Sequence, residues 1–346
     1  MIRKTLLILG SLVLSAMVAV SACSSSVNAT ASDQKNLENQ LSAAVQRDKI
    51  MRAENSSLWN SELFNDSLFT LNIKLTAAER KEAHRLARSF EDHMENSSLF
   101  MYHLLSELKA RNMPIELAAL PLVESGFNPR ARSGAGAHGP WQFIRSTGKA
   151  LGLERTKNYD EFYDFIASTD ASLRFLDHLY QECDHNWDLA IAAYNQGEYS
   201  IKRAIKRAKE AGVAEINLNT VKLSAGAKAY VRRFHAYADI LKNPQKYGVD
   251  RPEIKNRPAF KRVQIAGRLN SMKQASKLSG AKLSTLKHLN AGYLSDSLQS
   301  NKPRGLLVPI ENARRLEKAI GIEVPTTEQG TTQDMLSAVA SNAPER

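Results

Sequence analysis

Residues 123–143 read VESGFNPRARSGAGAHGPWQF, and this stretch is the most informative part of the chain. A single carboxylate, Glu124, is followed by a run of small residues and then by a Gly-Pro-Trp-Gln corner. Residues 133–137 are small enough to let the backbone approach a ligand closely. Trp141 is either a flat aromatic face for a sugar ring or a core tryptophan at a turn. The stretch therefore predicts a ligand-binding loop beside one acidic side chain.

The position of Glu124 predicts an unusual acidity. Residues 113–126 form an apolar helical run, with Pro114 in the first turn and Gly126 available to end the helix. Burial among apolar neighbours would raise the pKa of Glu124, and the negative end of the helix dipole would act in the same direction. A carboxyl group that stays protonated near neutral pH can serve as a general acid. The alternative is a solvated glutamate at a helix end.

The sequence around this loop has the periodicity of a mainly α body. Thr76–Glu79 is a capping-box signature that opens a helix running through residue 94. The other predicted helices cover residues 97–112, 113–126, 146–153, 168–183, 187–195, 197–211 and 224–243. Because no run over residues 76–242 alternates with period two, we expect about seven to nine helices and no strand there.

A second, smaller unit follows Pro244 and Pro252, which mark a linker. The predicted order is strand, helix, helix, strand, over residues 260–267, 270–280, 283–292 and 304–310. This order predicts a small α+β module over residues 259–310. Residues 325–346 are polar and are predicted to be a disordered tail.

Residues 1–22 have the layout of a secretory signal peptide, with two cations before an apolar run that ends in small residues. Residues 20–23, Val-Ser-Ala-Cys, resemble a bacterial lipobox, which implies cleavage before Cys23 and lipidation of that residue. The resemblance implies a periplasmic protein that a lipid anchors to the outer membrane of a Gram-negative envelope. The alternative is an ordinary signal peptide with a chance cysteine. Residues 23–57 are predicted to be a polar tether with a helix over residues 37–51.

The formal net charge of the chain is +11. A basic secreted protein suits a polyanionic partner, such as anionic lipid, teichoic or nucleic acid, or peptidoglycan with its peptide carboxylates. Charge does not choose among these partners. The basic segment at residues 201–212 has the pattern of a solvated helix face, and no nucleic-acid partner is predicted.

The cysteines and histidines predict neither a disulfide nor a metal site. Cys183 is the second of two cysteines, so no disulfide within the chain is expected once Cys23 is lipidated. His178, Cys183 and His185 lack the spacing and the fourth ligand of a zinc site, and we interpret them as a buried thiol and solvated histidines. The glycine-rich run lacks the pattern of a phosphate-binding loop. No metal and no cofactor are therefore predicted.

Four ordered motifs resemble the signature of the soluble lytic transglycosylases and goose-type lysozymes. They are Glu124-Ser125, Ser133 to Ala137, Gly139 to Gln142, and Ala193 to Asn195. Three longer stretches, ELAALPLVES, NYDEFYDFIASTDASLRFL and YADILKNPQKYGV, resemble the membrane-bound lytic transglycosylase D branch of this family. The similarity covers residues 58–250 and implies a lysozyme-like helical catalytic domain over that range.

The resemblance implies a role for each matching residue. Glu124 corresponds to the family's single catalytic glutamate. The residues that would bind or orient the substrate are Ser125, Ser133, Gln142, Tyr194, Asn195 and Tyr230. Tyr230 corresponds to the tyrosine whose hydroxyl binds the catalytic carboxyl, and Ser125 to a serine that orients that carboxyl and the glycan. Pro140 departs from the pattern, because it replaces an aliphatic residue and lacks a backbone N–H.

The family chemistry needs only one carboxylate because the substrate supplies its own nucleophile. The implied reaction cleaves the β-1,4 bond between N-acetylmuramic acid and N-acetylglucosamine and forms a 1,6-anhydro ring, with Glu124 acting as acid and then as base. Peptidoglycan glycan strands are the implied partner, and the sequence names no regulatory protein. A hydrolytic muramidase and a non-catalytic peptidoglycan-binding scaffold are the alternatives. Asp160, Glu161 and Asp164, which might supply a second carboxylate, are interpreted as loop and cap residues.

The C-terminal module resembles a divergent LysM-type glycan-binding domain. The stretches ASKLSGAKLSTLKHLNAG and LLVPI carry this resemblance. The usual Ser-Gly-Asp-Thr turn after the first strand is replaced by AGRLNS, at residues 266–271. The module could therefore bind glycan, or it could have a purely structural or docking role, and the sequence leaves both open.

Overall fold

The computed structural model describes residues 31–265, 267–299, 302 and 304–322. The predicted signal peptide, the lipidation site Cys23 and the predicted tail at residues 325–346 lie outside these residues. Packing divides the chain after Arg52, and the second unit contains the whole site described below. Within the described ranges, no helix is both long enough and apolar enough to cross a membrane.

The described chain begins with helix α1, Ala31–Asn55. The sequence predicts a polar tether with a helix only over residues 37–51, so the helix extends further at both ends. The segment is rich in alanine and in long straight side chains, which favour the helical state. Arg52 and Asp48 add an ion pair one turn apart, with 2.8 Å between nitrogen and oxygen.

A bundle of α-helices forms the body of the second unit. Its helices are α2 (Ala77–Leu86), α3 (Phe90–Ser97), α4 (Met101–Ala110), α5 (Leu120–Ser125), α6 (Arg145–Ala150), α7 (Phe165–Glu182), α8 (Trp187–Gln196), α9 (Glu198–Glu210) and α10 (Ala225–Lys242). The structure describes every residue in this range, and the number of helices lies within the predicted range. Helix α10 packs against both α2 and α8 and brings their side chains together.

Two predicted helices are broken in the structure. The helix predicted through residue 94 is interrupted by a 3-10 turn at Ala87–Ser89, between α2 and α3. The helix predicted over residues 113–126 starts as a 3-10 helix at Ile115–Ala119 and becomes an α-helix only at α5. Pro121 explains the second break, because it has no N–H to donate to the carbonyl four residues earlier.

The expectation of no strand between residues 76 and 242 is wrong in one place. Strands β1 (Ala137–His138) and β2 (Phe143–Ile144) pair antiparallel, with Ala137 opposite Ile144. Each strand has only two residues, which is too short to produce a period-two pattern in the sequence. The turn of this hairpin is the Gly-Pro-Trp-Gln corner that follows Glu124.

A buried ionic cluster ties α10 to its neighbours. The two ring nitrogens of His235 lie 2.7 Å from a carboxylate oxygen of Glu79 in α2 and 2.8 Å from one of Asp188 in α8. Burial lowers the pKa of His235, but the hydrogen bonds to Asp188 and Glu79 outweigh it and raise that pKa to about 9. Burial likewise raises the pKa of Glu79, and the bonds from His235 and Thr76 bring it down to about 2. The cluster is therefore charged over most of the pH range.

The predicted strand–helix–helix–strand module is present. Strands β3 (Phe260–Val263) and β4 (Leu306–Pro309) pair antiparallel, with Val263 opposite Leu306. The two helices between them are α11 (Met272–Ser279) and α12 (Leu283–Leu289), and α13 (Ile310–Ala319) follows. Helix α13 contributes Ala313 and Leu316 to the core of the module. The packed module therefore extends beyond residue 310, where the sequence predicts its end.

The predicted fold class, a mainly α body with a small C-terminal α+β module, is confirmed. The predicted linker at Pro244 does not separate the two parts, because their cores interpenetrate. Phe260, Leu289 and Leu307 from the module pack in the core of the helical body. In return, Tyr159 from the body packs in the core of the module.

Candidate active site

Glu124 lies in the last turn of α5, at a sharp change in chain direction. Gly126 ends the helix in the left-handed conformation, with φ of +58°. A side chain at this position would place its Cβ only 2.5 Å from the imidazole ring of His93. Only glycine suits both the backbone conformation and the space. The residues that follow can therefore fold back across the end of the helix toward Glu124.

The carboxyl group of Glu124 is held by Tyr230 from α10. The buried hydroxyl of Tyr230 donates a hydrogen bond to Oε1 of Glu124. Burial raises the pKa of Glu124 to about 7, although the hydrogen bond from Tyr230 and the charge of Arg233 oppose this increase. At neutral pH the group populates both its protonated and its ionised form. It can therefore donate a proton in one step and accept one in the next.

Arg233 is the site residue that the sequence analysis missed. It lies one helical turn after Tyr230, and its guanidinium carbon is 5.8 Å from the centre of the Tyr230 ring. Its Nε is buried and has no hydrogen-bond partner among the described residues. A basic residue three positions after Tyr230 in a predicted helix was the available signal, since such residues share a helix face. The positive charge of Arg233 acts on Glu124 and lowers the pKa of that carboxyl group.

Three of the predicted site residues fasten the Gly-Pro-Trp-Gln corner. The hydroxyl of Ser125 donates to the carbonyl of Pro140 at 2.8 Å, and that of Tyr194 donates to the carbonyl of Trp141 at 2.9 Å. The amide of Gln142 donates to the carbonyl of Gly139 at 2.7 Å. The Ser125 hydroxyl thus binds the corner and not the Glu124 carboxyl, which differs from the orienting role that the resemblance implies.

Ser133 and Asn195 lie outside this set of contacts. The hydroxyl of Ser133 accepts a hydrogen bond from the backbone N–H of Ala137 at 3.0 Å and so closes the turn before β1. Asn195 is exposed near the C-terminal end of α8.

Burial, followed by the charge of Glu124, raises the pKa of Tyr194 well above its usual value. Tyr194 therefore remains a neutral hydrogen-bond donor, and it links α8 to the corner through the carbonyl of Trp141.

Trp141 does not offer a face to a sugar. Its side chain is fully buried, and its indole N–H donates to the hydroxyl of Thr169 at 2.9 Å. The hypothesis of a sugar-stacking tryptophan is wrong, and the alternative of a core tryptophan at a turn is confirmed. Pro140 is also buried, and only its carbonyl is engaged by Ser125. The corner is thus an internal anchor that presents Gln142 at its end.

Gln142 has a left-handed backbone conformation with φ of +50°. This conformation is uncommon for a residue with a side chain and costs about 1–3 kcal/mol, so it persists only where the surroundings enforce it. Gly139, at the start of the corner, has φ of +79°, and a Cβ there would lie 1.7 Å from the carbonyl oxygen of Phe162. The corner therefore has a strained backbone at its last residue, Gln142, and a close backbone contact at its first residue, Gly139.

The three acidic residues that follow the corner are loop and cap residues, as predicted. Asp160 is 1% exposed and accepts hydrogen bonds from both terminal nitrogens of Arg145. Glu161 forms an ion pair with Arg304 at 2.7 Å. Asp164 caps α7 by accepting hydrogen bonds from the N–H groups of its first turn. Each carboxylate is already bound to another partner.

The thiol and the two histidines in α7 and just after it each have separate surroundings. Cys183 is fully buried, and burial raises the pKa of its thiol to about 12. His178 is half exposed and lies 3.2 Å from a carboxylate oxygen of Glu198. His185 bonds to the side chain of Gln181 at 2.9 Å. The expectation of a buried thiol and solvated histidines is confirmed.

The fold consists of a helical domain that contains the Glu124 site, followed by a small α+β module, and sequence comparison assigns both parts. Residues 102–217 match the Transglycosylase SLT domain, and residues 259–320 match the LysM-like domain of lytic transglycosylase MltD. The chain therefore belongs to the SLT-domain lytic transglycosylase family, in the branch that carries the MltD-type LysM-like domain.

Two relatives and one solved structure illustrate this similarity. Membrane-bound lytic murein transglycosylase D of Escherichia coli K12 is 39% identical over 221 residues, which are 64% of this chain and 48% of that protein. A putative tributyltin chloride resistance protein of Alteromonas sp. strain M-1 is 35% identical over 182 residues, which are 52% of this chain and 85% of that protein. An inactive mutant of lytic transglycosylase Slt from Pseudomonas aeruginosa matches 42% of this chain and 24% of that chain, at 22% identity and a TM-score of 0.34. The chain spans about half the length of the Escherichia coli protein.

Proposed function

We propose that the protein is a peptidoglycan lytic transglycosylase that cleaves the β-1,4 bond between N-acetylmuramic acid and N-acetylglucosamine. The observation that carries this proposal is the carboxyl group of Glu124, whose pKa is raised to about 7 by burial while Tyr230 holds it in place. Family membership supports the same reaction. The acidic residues that could have served as a second carboxylate are bound elsewhere, so a mechanism with one carboxylate fits best.

The proposed reaction uses Glu124 twice. In the first step, protonated Glu124 gives its proton to the glycosidic oxygen, the bond from that oxygen to C1 of the muramoyl residue breaks, and the N-acetyl group stabilises the cationic centre. In the second step, the C6 hydroxyl of the same sugar attacks C1, and its proton passes to the Glu124 carboxylate. The products are a free 4-hydroxyl and a 1,6-anhydro ring. No water is consumed, and Glu124 is protonated again.

The neighbours of Glu124 suit both steps. A pKa near the working pH lets one carboxyl act as an acid and then as a base. Burial, followed by the charge of Glu124, raises the pKa of Tyr230 well above its usual value, so its hydroxyl stays a donor to the carboxylate. The charge of Arg233 acts on the same carboxylate. Gln142, Ser133 and Asn195 are proposed to contact or orient the glycan around this centre.

The proposed location is the periplasm, with a lipid on Cys23 as the anchor to the outer membrane. The lipobox resemblance at residues 20–23 supports it, and the Escherichia coli relative is named as membrane-bound. In cells, a Cys23→Ser variant should move from the membrane fraction to the soluble fraction. Retention in the membrane fraction would contradict the anchor and leave the enzymatic proposal intact.

Digestion of purified sacculi tests the proposed reaction. Mass spectrometry of the released fragments should show 1,6-anhydromuramoyl ends for the wild-type chain. Reducing muramic ends would indicate a hydrolytic muramidase, because hydrolysis adds water to C1. Binding to sacculi without any released fragment would indicate a non-catalytic scaffold.

A further inference from the structure

The C-terminal module and the helical body are joined by shared packing. Tyr159, on the loop between α6 and α7, is 4% exposed and belongs to the core of the module. Phe260 and Leu307 of the module belong to the core of the body, and Phe260 lies near the ring of Phe100, with 6.3 Å between ring centres. A module attached in this way cannot swing as an independent arm without opening both cores.

The backbone of the module pairs directly with the loop that carries Tyr159. The N–H of Asp160 donates to the carbonyl of Gly292 at 2.8 Å, and the N–H of Leu294 donates to the carbonyl of Asn158 at 3.0 Å. Between these two bonds, the rings of Tyr159 and its partner Tyr293 meet edge to face, with centres 4.8 Å apart. The segment 158–160 is thus fixed in register against the module.

Side chains add to this pairing. A Cβ at Gly292 would lie 2.5 Å from Cζ of Tyr159, so the two segments are as close as a glycine allows. Arg304 of the module forms its ion pair with Glu161 where both side chains are mostly buried, at 13% and 16% exposure. The Arg304 guanidinium carbon also lies 4.1 Å from the centre of the Tyr159 ring. The contact between the module and the loop is therefore close-packed and charge-matched.

The same loop clamps the corner that presents Gln142. Asp160 holds Arg145 through two hydrogen bonds of 2.8 and 2.6 Å, and Arg145 begins α6 directly after β2. The carbonyl of Phe162 occupies the space where Gly139 would carry a side chain. Loop 158–162 therefore contacts the module on one side and, on the other, Gly139 at the start of the hairpin turn and Arg145 directly after β2.

We propose that the module is a positioning element for the active site. Residues 292–294 hold loop 158–162, and the loop sets the position of Gln142 through Arg145 and Gly139. The surface of the module around Tyr293 is then a docking face for the enzyme's own loop. This inference rests on the proposed function, because that function assigns Gln142 to the glycan.

A double-mutant cycle in the full-length chain tests this role. Every variant carries Glu124→Gln to prevent turnover, and the affinity for soluble, uncross-linked glycan strands is measured by calorimetry. Gly292→Leu should displace Tyr159 and weaken binding by about 10-fold, since a misplacement of about 1 Å can cost that much or more. Once Gln142→Ala is present, Gly292→Leu should cost less than about 2-fold, because residues acting through one another are not additive.

Two further variants serve as a matched control and as a substitute for Gly292→Leu. Tyr293→Phe is the matched control, because its hydroxyl has no hydrogen-bond partner among the described residues, and it should bind like the parent. Arg304→Gln removes the ion pair with Glu161 at the edge of the contact between module and loop. This variant replaces Gly292→Leu if that variant does not fold. It should show the same dependence on Gln142, with a smaller loss of glycan affinity. Far-ultraviolet circular dichroism and thermal melts establish folding.

The outcomes separate the two proposals. Equal losses from Gly292→Leu with and without Gln142, or unchanged affinity in a folded variant, would overturn the positioning role. If the Glu124→Gln variants show the expected cycle but the wild-type chain releases no anhydro products from sacculi, the proposed reaction alone is contradicted.

Discussion

Helix α10 supplies a hydrogen-bond partner to each of two glutamates on other helices, and the pKa values of the two carboxyl groups shift in opposite directions. In its N-terminal half, Tyr230 offers Glu124 a neutral hydroxyl, and burial raises the pKa of that carboxyl to about 7. Five residues later, His235 offers Glu79 an ionisable ring, and the pKa of that carboxyl falls to about 2. Both carboxyl groups are desolvated, so the partner decides the direction. With a neutral partner, the carboxyl group can stay protonated near neutral pH and donate its proton. With a charged partner, the carboxyl group is ionised and forms an ion pair.

The largest expected effect concerns the Glu124 side of this comparison. Glu124→Gln keeps the shape and still accepts the Tyr230 hydrogen bond, but it cannot transfer a proton. Turnover of sacculi should fall by about 10⁴-fold, the upper end for acid–base catalysis, because one residue serves in both steps. Binding of glycan strands should change little. Near-normal release of muropeptides by this variant would remove Glu124 from the mechanism.

The second prediction concerns the ion pairs of His235. His235→Gln leaves Glu79 and Asp188 without a charged partner, so the free energy of unfolding should fall by about 3 kcal/mol. His235 has a raised folded pKa, so its contribution is complete below about pH 6.5 and is lost as pH rises through 9. Glu79 has a lowered folded pKa, so its contribution is present above about 4.5 and is lost as pH falls through 2.

Urea unfolding at a series of pH values checks this prediction. The wild-type chain should lose stability between about pH 6.5 and 9 through this cluster, and the His235→Gln chain should not show that loss. The Asp177→Asn variant is a control, because that carboxyl lies on the neighbouring helix α7 outside the cluster. Identical pH profiles for wild type and His235→Gln would show that the cluster does not stabilise the fold.

The third prediction concerns the cost of ionising Glu124 in the folded protein. Its folded pKa is raised, so its contribution to stability is present below about pH 4.5 and is lost as pH rises through 7. At pH 8 the buried carboxylate should therefore destabilise the fold by about 1–3 kcal/mol, and Glu124→Gln should be the more stable chain. Thermal melts at pH 5 and pH 8 measure this difference. A gain of the same size at both pH values would point to packing instead of charge.

The smallest expected effect concerns the hydrogen bond at Glu124. Tyr230→Phe removes the bond that favours the carboxylate, so the pKa of Glu124 should rise above 7 by about one unit. Because the acid must be protonated, the alkaline limb of kcat/KM should move to higher pH by the same amount. Tyr237→Phe is the matched control on the same helix and should leave the limb in place. A shift to lower pH would reverse the assigned role of the bond.

The local elements of the fold were largely predictable because they depend on short-range patterns. The helical periodicity of the body and the strand–helix–helix–strand order of the module were both found in the sequence. The breaks at residues 87–89 and before Pro121 were not predicted, although Pro121 carries its own signal. The two-residue strands of the hairpin were missed, because two residues cannot show a period.

Within the site, the sequence pattern identified candidate residues, and the structure showed which other residues contact them. Glu124 and Tyr230 are 106 positions apart, and their pairing was expected only from the family resemblance. No sequence motif pointed to Arg233. Trp141 is a core residue because helix α7 brings Thr169 to its indole, and no feature near Trp141 in the sequence indicates this.

By itself the sequence determined the class of the fold, the single candidate acid and the presence of a second module. These properties follow from periodicity and from residue types, which are local. The sequence also indicated that the pKa of Glu124 would be raised. Only the tertiary structure decided the size of that increase, the ion pairs of His235 and the packing of the module against the loop beside the active site. Each depends on which distant groups are desolvated together, and desolvation is a property of packing, not of neighbouring letters in the chain.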